Sequence, residues 1–327
     1  MFKKLSFTVL LSAILLIVTF TMDTSKAQAG YADNPNDVYY NFAKQAYNVD
    51  GFSTGKQKIQ SNLNEIYGNK FKVIDTLSVV GNPFHEAARQ TNGNLGSLDS
   101  TGLEIMTIVK EPSATSVGKV YFAFAGTDSK SLSDILTSKN IAEGDTPGQL
   151  NQIQLYLNYI YSNYPTYSGY QWYFTGHSLG GYLAAKTYLD IRSANWLTST
   201  PWKYGGAVNK KTISGVYTFN PLPIPKNQIS STQWNANINK VYDSEIKNLY
   251  IENEWLNGVY DMHSDKMAYF GFKGAVPSSI PTYKTINYTP KGSISGDLAG
   301  YYAYSLTHKK AVTDNHGISA LAPYVSN

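Results

Sequence analysis

Residues Gln171 to Tyr188 form the run QWYFTGHSLGGYLAAKTY, which contains the pattern Gly-x-Ser-x-Gly with its serine at Ser178. β-Prone aromatic residues precede the pattern, and a helical pattern rich in alanine and glycine follows it. A serine on a tight strand-to-helix turn is held in a strained backbone conformation with an exposed hydroxyl, and the flanking glycines allow chain segments to approach closely. The run therefore predicts a strand–turn–helix unit that presents a nucleophilic serine.

Strand and helix patterns alternate along the rest of the chain. β-Rich runs predict strands at Phe71–Val80, Leu103–Val109, Lys119–Ala125, Ile213–Phe219 and Lys247–Ile251, and apolar residues at helical spacing predict helices at Asp37–Tyr47 and Gln149–Tyr164. This alternation predicts an α/β fold with a mostly parallel central sheet and helices on both faces. Residues Trp255 to Thr307 are interpreted as an elaboration of the same domain, and a hairpin is one form it could take.

The N-terminus has the pattern of a targeting segment. Two lysines precede an apolar run from Leu5 to Phe20, and Ala27-Gln28-Ala29 resembles a small-residue cleavage site. We expect residues 1–29 to be a signal peptide and residues 30–327 to form one secreted (extracellular) catalytic domain. The alternative is an uncleaved membrane anchor, for which the apolar run is rather short.

Composition restricts the partners of the chain. The absence of cysteine excludes disulfides and a cysteine-linked lipid anchor. The net charge of +4 includes +2 from the predicted signal peptide, so the mature chain would carry about +2, which argues against nucleic-acid binding. The 27 tyrosines could line a sugar- or lipid-facing cleft, but packing is the simpler interpretation. We expect a monomer.

A serine nucleophile needs a base, an acid that orients the base, and donors for the oxyanion. The backbone N–H of Leu179 is one expected donor. The second is expected from Thr127, because Gly126-Thr127 directly follows the predicted strand at Lys119–Ala125. An ordinary strand-to-loop turn is the alternative interpretation of that segment.

The acid is expected after a later strand, and the base after the acid. Glu254 follows the strand at Lys247–Ile251 and is the preferred acid, with Asp261 and Asp265 as alternatives. His316 lies on a loop before a short C-terminal helical pattern and is the preferred base. The other histidines considered as bases are His263 and His308, whereas His85 precedes the serine and His177 is expected to point away from it.

Three segments resemble the lipase class 3 family of α/β-hydrolases, and its bacterial lipase-like members in particular. They are Phe124–Asp128 (FAGTD), Asp134–Thr137 (DILT) and Thr175–Gly181 (TGHSLGG). The resemblance spans about Leu103 to Glu254 and implies that Gly126-Thr127 supplies an oxyanion donor and GHSLGG the nucleophile. Two positions depart from the family pattern: Ala125 stands where an arginine is usual, and Glu254 where an aspartate is usual.

These features predict a carboxylic ester hydrolase, a lipase or esterase whose substrates are lipid esters or small esters. No organic cofactor and no metal is expected, since the chain has no cysteine and no two histidines at helical i, i+4 spacing. Residues Ser129 to Gly148 are either a lid that contacts a lipid interface transiently or an ordinary helix. The alternatives are a thioesterase or peptidase on the same fold, and a non-catalytic surface protein with a degenerate triad.

Overall fold

The computed structural model describes residues 35–49, 53–78, 102–126, 141, 147–192, 213–278, 282, 284, 287–308 and 310–325. The predicted signal peptide, Thr127 and all of the Ser129–Gly148 segment except Ile141, Pro147 and Gly148 lie outside the described residues. Within the described residues, no helix is both long enough and apolar enough to cross a membrane.

The described part of the chain contains nine α-helices and nine strands. The helices are α1 (Pro35–Ala46), α2 (Ser53–Tyr67), α3 (Gly148–Asn163), α4 (Leu179–Arg192), α5 (Ser231–Ile238), α6 (Trp255–Met262), α7 (Ile294–His308), α8 (Lys310–Asp314) and α9 (Ala322–Val325). The strands are β1 (Lys72–Ser78), β2 (Glu104–Lys110), β3 (Lys119–Phe124), β4 (Gln171–His177), β5 (Ile213–Phe219), β6 (Ile224–Pro225), β7 (Ile246–Ile251), β8 (Met267–Ala268) and β9 (Phe272–Val276).

Seven strands form the central sheet in the order β1-β2-β3-β4-β5-β7-β9. The first three strands pair antiparallel, and every pair from β3 to β9 is parallel. The carboxyl ends of parallel strands lie at one edge of a sheet, where sites in open α/β folds are built. The ends of β4, β5 and β7 therefore carry the residues of interest to the same edge.

Alternate residues of β4 contact helices on opposite faces of the sheet. On one face, Thr175 donates a hydrogen bond to the Tyr39 carbonyl of α1 at 3.2 Å, and the Tyr39 ring stacks on Tyr217 of β5 at 3.8 Å. On the other face, the Trp172 ring packs edge-on against Tyr161 of α3. Helices on both faces of a mostly parallel sheet confirm the predicted α/β-hydrolase fold class.

The segment from Trp255 to Thr307 departs from the hairpin interpretation, which was wrong. Its described residues form α6, β8, β9 and most of α7, and β9 joins the main sheet parallel to β7. The short strand β8 pairs with β6 instead. Gly258 of α6 lies directly against the Tyr301 ring of α7, so glycine and tyrosine here allow two helices to pack closely, which composition alone did not reveal.

Candidate active site

Ser178 lies between the end of β4 and the start of α4, at the carboxyl edge of the sheet. Its φ of 57° is in the left-handed region, where a residue with a Cβ is strained. Two backbone hydrogen bonds at 3.1 Å hold it there, from Ser178 N to the Phe219 carbonyl and from Leu222 N to the Ser178 carbonyl. The turn predicted from the sequence is therefore anchored to the end of β5.

Two glycines of the motif are required by close backbone approach. A Cβ on Gly176 would collide with the carbonyl of Gly180, and a Cβ on Gly180 would collide with the carbonyl of Phe124 in β3. Hence α4 starts directly against β3 and β4, and its first turn lies beside the serine. The Gly-x-Ser-x-Gly spacing is thus a packing requirement of this turn.

Leu179, one of the two predicted oxyanion donors, is the first residue of α4. The first N–H groups of an α-helix have no acceptor within the helix, so this N–H can serve a ligand. The other predicted donor, Thr127, lies outside the described residues. Its neighbour Gly126 is beside the nucleophile, since a Cβ built on Gly126 would be 3.1 Å from the Ser178 Cβ.

His316 joins the serine to a carboxylate. Its Nε2 is 2.8 Å from Ser178 Oγ, and its Nδ1 is 2.9 Å from Glu254 Oε2. His316 is 5% exposed and Glu254 is 0% exposed, whereas Ser178 is partly accessible. The structure therefore brings the predicted serine, base and acid into one hydrogen-bonded line, across 138 residues between serine and base.

Glu254 is also the N-cap of α6. Its Oε1 accepts from the N–H of Asn257 at 2.8 Å, and its Oε2 accepts from the N–H of Leu256 at 3.0 Å. These two bonds and the positive end of the helix dipole stabilise a buried carboxylate that also faces His316. Because α6 begins at the residue after Glu254, the Glu254 carboxylate lies beside the first N–H groups of the helix as well as beside His316.

The other acids and bases considered from the sequence lie elsewhere. Asp261 and Asp265 are exposed, on and just after α6. His263 pairs with Asp297 at 2.9 Å, and both side chains are buried. His308 is exposed at the end of α7, where its ring stacks on Tyr304 at 4.4 Å. Of these alternatives, none contacts Ser178 or His316 in the described part of the chain.

Three residues that the sequence did not assign to the triad or to the oxyanion hole surround the base. Trp255 packs edge-on against the His316 ring at 5.3 Å, and the His177 ring lies 5.0 Å from it on another side. Asn220, at the end of β5, donates from Nδ2 to the His316 carbonyl at 3.0 Å. The sequence offered only the positions of Trp255 and Asn220 as a signal for their place in the site. Trp255 directly follows the predicted acid, and Asn220 directly follows a predicted strand.

His177 is a buried, neutral histidine. Burial, and to a smaller extent the nearby His316 ring, lower the pKa of its imidazole from 6.5 to about 3. Its Nε2 is 2.7 Å from the His316 carbonyl oxygen, and its Nδ1 is 2.7 Å from the Tyr47 hydroxyl. As predicted, its ring does not point at the nucleophile; instead it contacts the backbone of the base.

No family model and no curated protein sequence matches this chain. Among solved structures, it is similar to the Rhizomucor miehei lipase in its propeptide complex, with 15% identity, a TM-score of 0.41, and coverage of 75% of this chain and 68% of that one. Lipase II from Rhizopus niveus matches with 12% identity, a TM-score of 0.39, and coverage of 80% and 82%. The extracellular lipase LipA from Serratia marcescens matches with 15% identity and a TM-score of 0.35, over 72% of this chain and 38% of that one.

Identities and TM-scores at this level do not transfer an activity. Membership of the lipase class 3 family stays a prediction from the motifs around Gly126 and Ser178. We therefore derive the function from the residues that meet at the carboxyl edge of the sheet.

Proposed function

We propose that this protein is a secreted serine hydrolase that cleaves carboxylic esters, with lipid esters as its substrate class. The observation that carries the proposal is the line of two hydrogen bonds from Ser178 Oγ through the His316 ring to Glu254, at 2.8 and 2.9 Å. Nucleophile, base and orienting acid in direct contact are the arrangement that serine hydrolases need. Secretion rests on the sequence of residues 1–29.

The proposed reaction uses each group in turn. Ser178 Oγ attacks the ester carbonyl carbon while His316 Nε2 accepts the hydroxyl proton, and Glu254 stabilises the resulting imidazolium. The N–H groups of Leu179 and Thr127 stabilise the oxyanion. His316 then donates its proton to the leaving alcohol, which leaves an acyl group on Ser178, and a water activated by His316 hydrolyses that acyl-enzyme.

Burial of the acid and base supports this assignment. Glu254 is fully buried, yet three donors satisfy its carboxylate: two N–H groups of α6 and the His316 ring. An ionised carboxylate held in this way keeps the proton of the neutral imidazole on Nδ1, so that Nε2 is available to accept from the serine. His316 is 5% exposed, and the Trp255 ring packs edge-on against its imidazole at 5.3 Å.

The choice of lipid esters rests on the sequence motifs and on the apolar residues Leu132, Ile135, Leu136 and Ile141 in the segment Ser129–Gly148. Ile141 is 1% exposed, and its carbonyl accepts a hydrogen bond from Gln228 at 2.8 Å. One residue of this segment is thus packed against the body of the domain. Whether its other residues form a lid stays a prediction.

The test is a panel of p-nitrophenyl esters of increasing acyl length, run beside a thioester and a peptide. Wild-type protein is expected to release p-nitrophenol from the esters and to react with a fluorophosphonate probe, and Ser178→Ala is the control for both readouts. Cleavage of the peptide alone would replace ester hydrolysis with peptidase activity. Folded wild-type protein that is neither active nor labelled would indicate the non-catalytic surface protein.

A further inference from the structure

The carbonyl oxygen of His316 accepts hydrogen bonds from two buried side chains. His177 Nε2 is 2.7 Å from it and Asn220 Nδ2 is 3.0 Å from it. Asn220 Nδ2 also donates to the carbonyl of the preceding residue, Asn315, at 3.1 Å. The base is therefore held through its main chain as well as through its ring.

Asn220 connects the base to the sheet. It is 0% exposed, and its backbone has a φ of 40°, which asparagine tolerates better than most residues with a side chain. Its Oδ1 accepts from the N–H of Ile251 at 2.9 Å, and its own N–H donates to the Leu249 carbonyl at 2.8 Å. One side chain thus ties the end of β7 to the turn that carries His316.

His177 connects the base to Tyr47, in the N-terminal part of the chain. Because the acceptor at Nε2 is a carbonyl oxygen, Nε2 must carry the proton, and the neutral ring then accepts from the Tyr47 hydroxyl at Nδ1. Tyr47 directly follows α1. The His316 carbonyl therefore fixes the tautomer of His177, and the Tyr47 hydroxyl holds the ring at its other nitrogen.

The turn that carries the base has weak local support. After α8, the backbone hydrogen bonds near the base run from Asn315 N to Ala311 O, from His316 N to Thr313 O and from Gly317 N to Asp314 O, at 3.1 to 3.3 Å. The imidazole must meet Ser178 and Glu254 at once, and a shift of about 1 Å in a reacting group can cost about 100-fold in rate. Additional main-chain anchors would limit such a shift.

We propose that Asn220 and His177 are positioning residues that clamp the main chain of His316, with the Tyr47 hydroxyl holding the His177 ring in place. The kinetic consequence rests on the proposed ester hydrolysis, but the positioning itself does not. Neither side chain touches the serine hydroxyl or the Glu254 carboxylate in the described contacts, so both act through His316.

The test compares Asn220→Gly with Asn248→Ala. Glycine keeps the positive φ at position 220 without strain, and alanine suits the extended strand at position 248. Each variant removes one buried asparagine that donates to two carbonyls and accepts one hydrogen bond; the partners of Asn248 are the carbonyls of Phe270 and Phe272 and the Thr218 hydroxyl. The control variant Asn248→Ala therefore loses an equivalent set of hydrogen bonds on β7, and none of them involves His316.

For Asn220→Gly we expect kcat to fall about 10- to 100-fold while KM stays within about twofold, because the base is misplaced and the substrate site is not. Asn248→Ala is expected to lower the unfolding midpoint by a similar amount and to keep kcat. Equal kcat losses in the two variants would reduce the role of Asn220 to general stability and overturn the proposal.

A milder pair of variants keeps the test decisive if Asn220→Gly does not fold. Tyr47→Phe removes the hydroxyl that holds the His177 ring at Nδ1, and Tyr156→Phe removes a buried hydroxyl that bonds to Thr107 at 2.8 Å on α3 and β2. We expect kcat to fall severalfold in Tyr47→Phe alone. Unchanged kcat in Tyr47→Phe would exclude the role of His177 and its Tyr47 partner in positioning the base.

The ring N–H resonance of His316 in ¹⁵N-labelled protein gives a readout that does not require turnover. In wild-type and Asn248→Ala it should be sharp and shifted downfield by the Glu254 bond, and in Asn220→Gly it should broaden or move. An unchanged resonance in Asn220→Gly would overturn the clamp. Inactive, unlabelled wild-type protein would contradict the proposed function, while this resonance would still decide the clamp.

Discussion

The described part of the molecule contains two buried histidine–carboxylate pairs that look alike when each is viewed alone. His316 and Glu254 are 2.9 Å apart, as are His263 and Asp297. The histidines are 5% and 4% exposed, and both carboxylates are 0% exposed. Each carboxylate also accepts from a backbone N–H near the start of a helix.

The pairs differ at the second nitrogen of each histidine. In His316 that nitrogen is 2.8 Å from the hydroxyl of Ser178, on a strained turn at the carboxyl edge of the sheet. In the described part of the chain, no hydroxyl is hydrogen-bonded to the second nitrogen of His263. Asp297 instead accepts from the Tyr288 hydroxyl and from Lys291 N–H, both at 2.8 Å, so this pair joins the end of α6 to the start of α7.

The difference teaches that burial and a short ion-pair distance do not identify a catalytic base. Burying a histidine–carboxylate pair costs desolvation free energy wherever the pair occurs. A pair with a purely structural role offsets that cost with the same kind of hydrogen bonds that a catalytic pair uses. What separates the two is a third partner that can react. Mutations that break each pair should therefore affect different measured quantities.

The largest expected effect is the loss of ester hydrolysis in Ser178→Ala and in His316→Ala. Each is expected to lower kcat by about 10⁴- to 10⁶-fold, since nucleophile and base act as one unit. Far-ultraviolet circular dichroism should show an unchanged fold. Full activity in His316→Ala together with loss of activity in His263→Ala would show that His263 is the catalytic base and that the pair of His316 and Glu254 is structural.

Glu254→Ala should cost less activity than the serine or histidine variants and leave a measurable rate, about 10²- to 10⁴-fold below wild-type kcat. The serine and base remain, but the imidazole loses its orienting partner. The same variant removes the N-cap of α6, so the unfolding midpoint should also fall. A kcat equal to that of wild type would remove Glu254 from the triad.

Asp297→Ala should change stability and spare the chemistry. Leaving His263 without its buried partner is expected to lower the free energy of unfolding by about 3–5 kcal/mol, measured by urea denaturation. The kcat of the remaining folded protein should stay within about threefold of wild type. A selective loss of kcat without loss of stability would show that this pair belongs to the reaction.

A third buried histidine, His177, extends the comparison to the pH dependence of the free energy of unfolding. Burial lowers the pKa of His177 to about 3, so between pH 6.5 and 3 the unfolded chain binds a proton that the folded chain does not. The free energy of unfolding should therefore fall as the pH falls, by up to about 1.4 kcal/mol per pH unit from this group. Urea denaturation of His177→Gln at several pH values should give a shallower dependence, and parallel curves would contradict the assignment.

Local patterns were enough to predict most of the fold and the order of the site residues. β-Rich runs predicted the core strands, including β5 at its observed bounds, and the Gly-x-Ser-x-Gly spacing predicted the turn at Ser178. Chain order then selected Glu254 and His316 among the available acids and histidines, and the structure places them in contact.

Contacts between distant segments could not be predicted in this way. Asn220 reaches His316 across 96 positions, and Tyr47 reaches His177 across 130, so neither partner lies within a local pattern. The His263–Asp297 pair has the same character, which is why His263 remained a candidate base until its partner was seen. Sequence order identifies chemistry, whereas only packing identifies which groups support it.

Because φ is positive at Ser178, selection for a more stable and more abundant protein favours a different residue at this position than selection for catalytic turnover does. Glycine adopts such a φ without strain, so Ser178→Gly should relieve about 1 kcal/mol and give a more stable but inert protein. At Glu254 the two pressures agree, because one carboxylate caps a helix and faces the base. A library screened only for soluble yield would thus discard the nucleophile and retain the acid.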